Sequence, residues 1–333
     1  MQLCSLTPFT LFKMTGAKRP GHFHKAVTTN PAPRLGETGP DMEKLAEIFE
    51  KHRARLFGVA YRMLGSRADA EDVLQDAWLR WHGTDIAGIE SHEAWLVTIV
   101  TRLCLDRLRS AKQDRERYVG PWLPEPILVD RMPSPELRLE LADEVSVAFL
   151  ALLERLGPEK RAAFLLHEVF DYDYPEIAQM LGKSEPALRQ MVHRAREEVR
   201  AGRPKFSVAE DVRERLLKKF LAAASSGDRT AVMALLKEDA EYISDGGGKV
   251  YAALKVLHGA ERIGRLYYSI ARSFPGLTWR AIRVNGELGV ANMMGDKLHS
   301  IISFQFDGDR IAGIYTMRNP DKLAGISVHD FGV

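Results

Sequence analysis

The chain has 333 residues, room for two or three domains, and a formal net charge of only +2, from 47 Lys+Arg against 45 Asp+Glu. That balance excludes a uniformly basic protein that coats nucleic acid. Two cysteines (Cys4 and Cys104) with no Cys/His cluster at ligand spacing argue against a disulfide framework and a zinc site, and no stretch is long and apolar enough to span a bilayer. The chain therefore reads as cytosolic and reduced.

Residues 1–40 are rich in Pro, Gly, Thr and Lys, show no helical period and read as a disordered tail. Its apolar stretch from Leu3 to Phe12 lacks the charged start and cleavage site of a secretory signal, and Met14 and Met42 are candidates for the start of translation. Helical periodicity begins near Asp41, where KLAEIFEKHRARLFGVAYRMLG places Leu45, Ile48, Phe49, Leu56, Val59, Ala60 and Met63 on one apolar side. Gly65 ends it. Ser66 opens a second helix, SRADAEDVLQDAWLRW, with Val73, Leu74, Ala77, Trp78 and Trp81 inward and its acids near the N-terminus, where the dipole favours them. A polar loop from His82 to Ser91 leads to a third helix, HEAWLVTIVTRLCLDRLRSAK. Its end is basic, with Arg102, Arg107, Arg109 and Lys112, and its Cys104 reads as a small buried residue.

Prolines dominate from Gln113 to Glu140. They remove backbone donors and bias their predecessors toward extended structure, which predicts a linker rather than a helix. Helices resume at Glu140 and run to Arg200, and AGRPKFS, from Ala201 to Ser207, marks a further boundary. An amphipathic helix over about Val208 to Ala224 and a short one after Gly227 come next. The strand-like runs AEYIS, KVYAALKV, LTWRAIRV, LGVANMM, HSIISFQF and RIAGIYTM follow, interrupted by a helix near Ala260 to Arg272. Asn285-Gly286 and Asp307-Gly308 are hairpin signals, and the whole predicts a small α+β domain.

The most informative stretch is Tyr174 to Arg200, YPEIAQMLGKSEPALRQMVHRAREEVR. A short helix from about Pro175 to Leu181 is closed by Gly182, and Ser184 caps the next helix. That second helix buries Leu188, Met191, Val192, Ala195 and Val199 and turns Arg189, Gln190, His193, Arg194 and Arg196 outward. Such a helix can lie in a major groove, although the pattern alone fits an ordinary helical hairpin equally well.

AEDVLQDAWLRW, AWLVTIVTRLCLDRLR and LGPEKRAAFLLHEVFDYDYPEIAQMLGKSEPALRQMVHRAR resemble bacterial extracytoplasmic-function (ECF) sigma factors, the first two sigma domain 2 and the third sigma domain 4. WLPEP at Trp122 to Pro126, DGGGK at Asp245 to Lys249 and NPDKL at Asn319 to Leu323 are similar to the motifs of the SigJ-like group, which carries a SnoaL-like extension. The resemblance implies a multidomain chain: sigma domain 2 over 41–112, a Pro-rich linker over 113–139, sigma domain 4 over 140–203, a SnoaL-like (NTF2-like) α+β cone over 204–325 and a tail over 326–333. It implies a non-enzymatic factor, without cofactor or metal, that binds core RNA polymerase and directs it to promoter DNA in the cytoplasm, at the nucleoid.

Within that expectation, Asp69, Asp72, Gln75 and Asp76 present a polar face to polymerase, and exposed charges there steer association more than they add affinity. Thr98, Thr101, Arg102 and Arg109 serve the melted −10 strand. The competing reading pairs Arg102 and Arg107 with Glu93 and Asp106. Ser184, Glu185, Ala187, Arg189, Gln190, His193, Arg194 and Arg196 face the −35 element. Arginine pairs with guanine and glutamine with adenine, while Arg196, Arg200 and Arg203 suit phosphate.

A regulatory interface is expected from Trp122, Leu123, Pro124, Glu125 and Pro126 with Asp245, Gly246, Gly247, Gly248 and Lys249, and with Asn319, Pro320, Asp321, Lys322 and Leu323. A small ligand in the SnoaL-like pocket is a candidate effector. An enzyme reading would draw on Asp245, His258 and Tyr242, but the glycines after Asp245 suggest a tight loop rather than a buried carboxylate. The alternative from another class is a stand-alone helix-turn-helix regulator dimerising through the SnoaL-like domain.

Overall fold

The structure, a computed structural model, describes residues 40–128, 132, 134–141, 145–202 and 208–326. The expected tails (1–39 and 327–333) and Arg203 lie outside the described residues.

Three long helices come first: α1 (Pro40–Leu64), α2 (Arg67–His82) and α3 (His92–Ser110). Serines start the second and third. Ser66 accepts from Asp69 N and Ser91 from Ala94 N, each satisfying an orphan amide of the first turn. Gly65, at φ 65°, ends α1 as expected. The three helices pack around Leu56, Val73, Leu96 and Trp81, whose indole donates to Leu45 O at 3.0 Å. Trp78 is only half-buried.

The Pro-rich stretch departs from a plain linker. It opens with one turn, α4 (Lys112–Glu116), and holds a second near its end, α5 (Pro135–Glu140), started by Pro135 at N1 behind Ser134. Proline in the first helical turn costs no hydrogen bond, so proline content alone did not exclude these turns.

Four helices follow: α6 (Val147–Leu153), α7 (Pro158–Glu168), α8 (Tyr174–Leu181) and α9 (Glu185–Gly202). Asp173 and Glu176 form a reciprocal capping box on α8, and Gly182 closes it at φ 63°, ψ 40°. Leu188, Val192, Ala195 and Val199 form the buried stripe of α9. The cores of α1–α3 and α6–α9 are one continuous cluster. Arg161 on α7 crosses that junction, buried, donating to Met63 O of α1 and to Glu154.

The last part contains α10 (Glu210–Ser226), α11 (Arg229–Leu235), β1 (Leu236–Asp245), β2 (Leu257–His258), α12 (Ala260–Ser273), β3 (Leu277–Val284), β4 (Glu287–Met294), β5 (Lys297–Asp307), β6 (Arg310–Met317) and α13 (Pro320–Leu323). The sheet order is β2-β1-β6-β5-β4-β3, with β1 parallel to β6 and the other pairs antiparallel. One face packs on α10–α12 through Phe220, Tyr242, Tyr267 and Phe304. The other carries Ile243, Ile301, Tyr315 and Met317, and meets Leu123 of the linker and Val147 and Ala148 of α6. KVYAALKV, residues 249–256, is not a strand: Gly247 and Gly248 at positive φ turn the chain away from β1, and pairing begins only beyond the run, at Leu257–His258. The β3–β4 hairpin turns on Asn285 (φ 53°) and Gly286 (φ 78°) between the paired residues Val284 and Glu287, as a type I′ turn requires.

Candidate nucleic-acid interface

The outward face of α9 holds Ala187, Arg189, Gln190, His193 and Arg194, all exposed, with Ser184 exposed just before the helix. Arg189 donates to Glu185 one turn earlier at 3.1 Å and lies over the Tyr174 ring at 4.4 Å, so its guanidinium is positioned before any ligand arrives. His193 lies 3.6 Å from Glu197. Arg196 differs from the expectation of a free phosphate contact. It forks onto Glu168 of α7, and this holds the Glu168 carboxyl below its usual range.

On α2, Asp72, Gln75 and Asp76 are exposed and Asp69 is half-buried. Arg107 reaches back from α3 to bond Asp69 and Asp72, each at 2.8 Å, rather than pairing with Asp106 or Glu93. Asp76 and Gln75 are thus the polar groups of this face that Arg107 leaves open.

The α3 residues depart most from expectation. Thr101 is buried in this structure, with no hydrogen-bond partner for its hydroxyl. Thr98 bonds its own helix at Ala94 O. Arg102 donates to Met180 O at 3.1 Å and Gln179 O at 3.5 Å, at the C-terminal end of α8, where a cation meets orphan carbonyls and the negative end of the dipole. Arg109 pairs with Asp106 and with Glu159 of α7. Both α3 cations are therefore held by α7 and α8, the helices that pack against α9.

The linker is clamped between the helices and the sheet. Trp122 lies against Gly65, where an added Cβ would come within 2.6 Å of its ring, and sits between Arg115 (4.5 Å) and the Lys322 ammonium (3.9 Å). Leu123, Pro124, Pro126 and Ile127 are buried. Glu125 bonds Gly65 O through its amide, accepts from Arg67 N at the start of α2, and accepts from Tyr61 through its carbonyl.

Asp245 is the hub: its glycines form the tight turn expected of them, but its carboxylate, contrary to expectation, is fully buried. It accepts from the Tyr118 hydroxyl (2.6 Å), Gly247 N (3.0 Å), Leu123 N (2.9 Å) and Lys322 Nζ (2.8 Å). Lys322 also donates to Leu123 O at 2.6 Å. Burial brings Lys322 down to about 8, against the pull of Asp245. Burial, and then the Asp245 carboxylate, push Tyr118 up. Asn319 donates to Tyr118 and starts α13. A side chain at Gly247 would collide with it. Gly246 is likewise closed by Val250 O, while a Cβ at Gly248 would press on Val119. Lys249 and Asp321 form an exposed ion pair, Pro320 is exposed, and Leu323 joins the cluster around Leu123.

The sequence reading missed Asn285. The tip of the β3–β4 hairpin is 2 % exposed and enters the junction of all three parts. Its Oδ1 accepts from Ile127 N (2.9 Å), and its Nδ2 donates to Tyr61 Oη (2.8 Å) and Val145 O (2.9 Å). Its amide bonds Ile127 O at 2.7 Å. The Asn-Gly pair signalled only a turn, and nothing local signals its partners.

The catalytic candidates do not converge. Strand alternation sends Tyr242 to the helix face and Asp245 to the linker face, and His258 is exposed beside Glu241.

Comparison with known proteins supplies the frame. The families described as Sigma-70 region 2 and Sigma-70, region 4 match residues 48–114 and 146–199. The chain is 37% identical over 289 residues to the ECF RNA polymerase sigma factor SigJ of Mycobacterium tuberculosis, covering 83% of this chain and 92% of that one. It is 31% identical to the probable ECF RNA polymerase sigma factor SigI of the same species, over 84% and 95% of the two chains. The crystal structure of Mycobacterium tuberculosis SigJ matches with a TM-score of 0.68 at 32% identity, covering 84% of this chain and 98% of that one.

Proposed function

The chain belongs to the ECF RNA polymerase sigma factors, and from that premise we propose that this structure is its closed state, restrained in cis by the SnoaL-like domain. A sigma factor brings core RNA polymerase to promoter DNA. The −35 and −10 elements lie about 25 base pairs apart, roughly 85 Å of B-form DNA at about 3.4 Å per pair. Arg102 of α3 is hydrogen-bonded to the end of α8, so α3 cannot serve the −10 strand while α9 serves the −35 element. Promoter engagement requires the two helical units to part.

Residue roles follow from this reading. Arg189 and Gln190 read base edges in the −35 element, and Ser184, Glu185, Ala187, His193 and Arg194 complete that face. Arg200 meets phosphate. Arg102 and Arg109 reach the −10 strand once released from α7 and α8. Gln75 and Asp76, joined by Asp69 and Asp72, meet polymerase. The protein would act in the cytoplasm, at the nucleoid.

The single observation that carries the cis-regulatory reading is the clamp. The linker joining the two sigma units is bonded at Leu123 to Asp245 and Lys322 and at Ile127 to Asn285, all from the C-terminal domain. Its buried carboxylate serves the linker rather than a substrate, which supports a regulatory and not a catalytic role. The same sheet face is covered by the chain's own linker and α6, which leaves it unavailable for the dimer that a stand-alone repressor would need.

Run-off transcription tests the proposal, using core polymerase, a randomised promoter library, the full-length protein and a version ending near Arg203. Promoter-specific transcripts, more abundant with the shortened chain, are expected. Equal or lower yield from the shortened chain would refute the restraint. No transcripts from either, with the polymerase shown competent by another sigma factor, would refute the sigma reading itself.

A further inference from the structure

The helix-facing side of the C-terminal sheet carries a polar cluster that the clamp does not use. Cross-strand partners share a face, and one row runs Val290, Ile302, Thr316, Ser244 across β4, β5, β6 and β1. The neighbouring row, Phe304, Ile314, Tyr242, lies in the core beneath α10 and α12. The Thr316 and Ser244 hydroxyls thus point toward the helices. Both are buried without a hydrogen-bond partner, as is Asn292 Oδ1 on the same side of β4. Buried polar atoms are normally paired, because leaving one unpaired opposes folding.

Beside them is an uncompensated charge. Arg318, just past β6, is half-buried and donates to Tyr251 O and, at 2.9 Å, to His299 Nε2. Among the described residues no carboxylate pairs with it. A guanidinium only donates, so His299 Nε2 accepts, and the neutral ring carries its proton on Nδ1. That N–H and the Arg318 Nε–H are both buried and unpartnered. The Phe274 ring, at the end of α12, lies 5.6 Å from His299.

We propose that this end of the sheet binds a small organic carboxylate with an apolar, preferably aromatic, body. The carboxylate bonds Arg318, His299 Nδ1–H and the Thr316 hydroxyl, and the body lies against Phe274 and Tyr242. Two unpartnered N–H groups, hydroxyls free to donate, one unbalanced positive charge and adjacent rings fit that chemistry and no cation. The site also touches the clamp, since Arg318 N and Asn319 N both donate to Asp245 O, at 2.8 and 2.9 Å. A ligand on Arg318 therefore shifts the residue whose carboxylate holds the linker. This consequence rests on the cis-regulatory reading, whereas the binding itself does not.

The test is calorimetry and thermal denaturation of the full-length protein with acetate, benzoate and 2-naphthoate, and with neutral 2-naphthamide. An aromatic carboxylate is expected to bind and raise the midpoint, and the amide to do neither. Arg318→Gln should weaken binding about 10- to 100-fold, the range for a hydrogen bond to a charged group. Thr316→Val, nearly unchanged in shape, should also weaken binding and leave the midpoint equal or higher. Binding by none of the carboxylates, equal binding of carboxylate and amide, or unchanged affinity in both variants would overturn the proposal. Run-off transcription with and without the bound carboxylate reads the coupling separately. Binding with unaltered transcription would sustain the site and refute its link to the clamp.

Discussion

Asn285→Gly isolates the hairpin latch from everything else in the clamp. Glycine tolerates the φ of 53° and so keeps the type I′ turn, and the backbone bond to Ile127 O is retained. What is lost is three side-chain hydrogen bonds, to Ile127 N, Tyr61 Oη and Val145 O. At about 0.5–1.5 kcal/mol net for each bond, the closed state loses about 1.5–4.5 kcal/mol. Unpaired Ile127 N and Val145 O push the loss toward the upper end unless water enters. Moving an equilibrium from 1:99 to 99:1 takes about 5.5 kcal/mol, so a closed state favoured a hundredfold becomes comparable with the open one. Limited proteolysis of the linker and run-off transcription with core polymerase read the change. Faster cleavage between Tyr118 and Leu128 and a higher transcript yield are expected, with the circular dichroism of the fold retained. Wild-type cleavage and wild-type yield from Asn285→Gly, in a preparation where Asp245→Ala opens the linker, would refute the latch.

Three further outcomes are expected. Arg189→Ala should cost about 1–3 kcal/mol of discrimination at one −35 base pair, whereas Arg200→Ala should weaken all sequences alike; equal loss of selectivity in competition binding would refute that division. Thr101→Val should leave promoter opening unchanged by permanganate footprinting and stability the same or higher, since the buried hydroxyl has no partner; a melting defect would restore Thr101 to the DNA interface. Lys322 is held at about 8 when clamped, below its ordinary value of 10.5, so the open state binds the proton more tightly and closure gains as pH rises between those values. This gain is complete above the open-state value and lost as pH falls through about 8, while Tyr118, pushed up, opposes closure once pH passes its ordinary 10. Linker cleavage should therefore slow from pH 8 to 9.5, and Lys322→Met should flatten the slope.

Features encoded over short spans were legible in the chain. The helices α1–α3, α8 and α9, the start of α2 at Ser66, Gly182 and the Asn285-Gly286 turn follow from periodicities of three to four residues and from residues that favour particular φ values. So did the grouping of WLPEP, DGGGK and NPDKL, but only through resemblance. KVYAALKV misled because an apolar run resembles a strand whether or not an edge is free to pair with it, and the positive φ of Gly247 and Gly248 removes it from β1.

Who meets whom was decided by the tertiary structure. Arg102 reaches the end of α8 across 78 positions, Leu123 reaches Asp245 across 122, and Asn285 reaches Tyr61 across 224. No periodicity carries over such separations. The burial of Asp245 likewise depends on a linker that covers it, and the loss of Thr101 from the surface depends on how the bundle closes. Local propensity is a property of neighbouring residues and survives in the sequence. Desolvation and the pairing of distant polar groups exist only once the chain has closed on itself, and it is these that determine which side chains remain available to DNA.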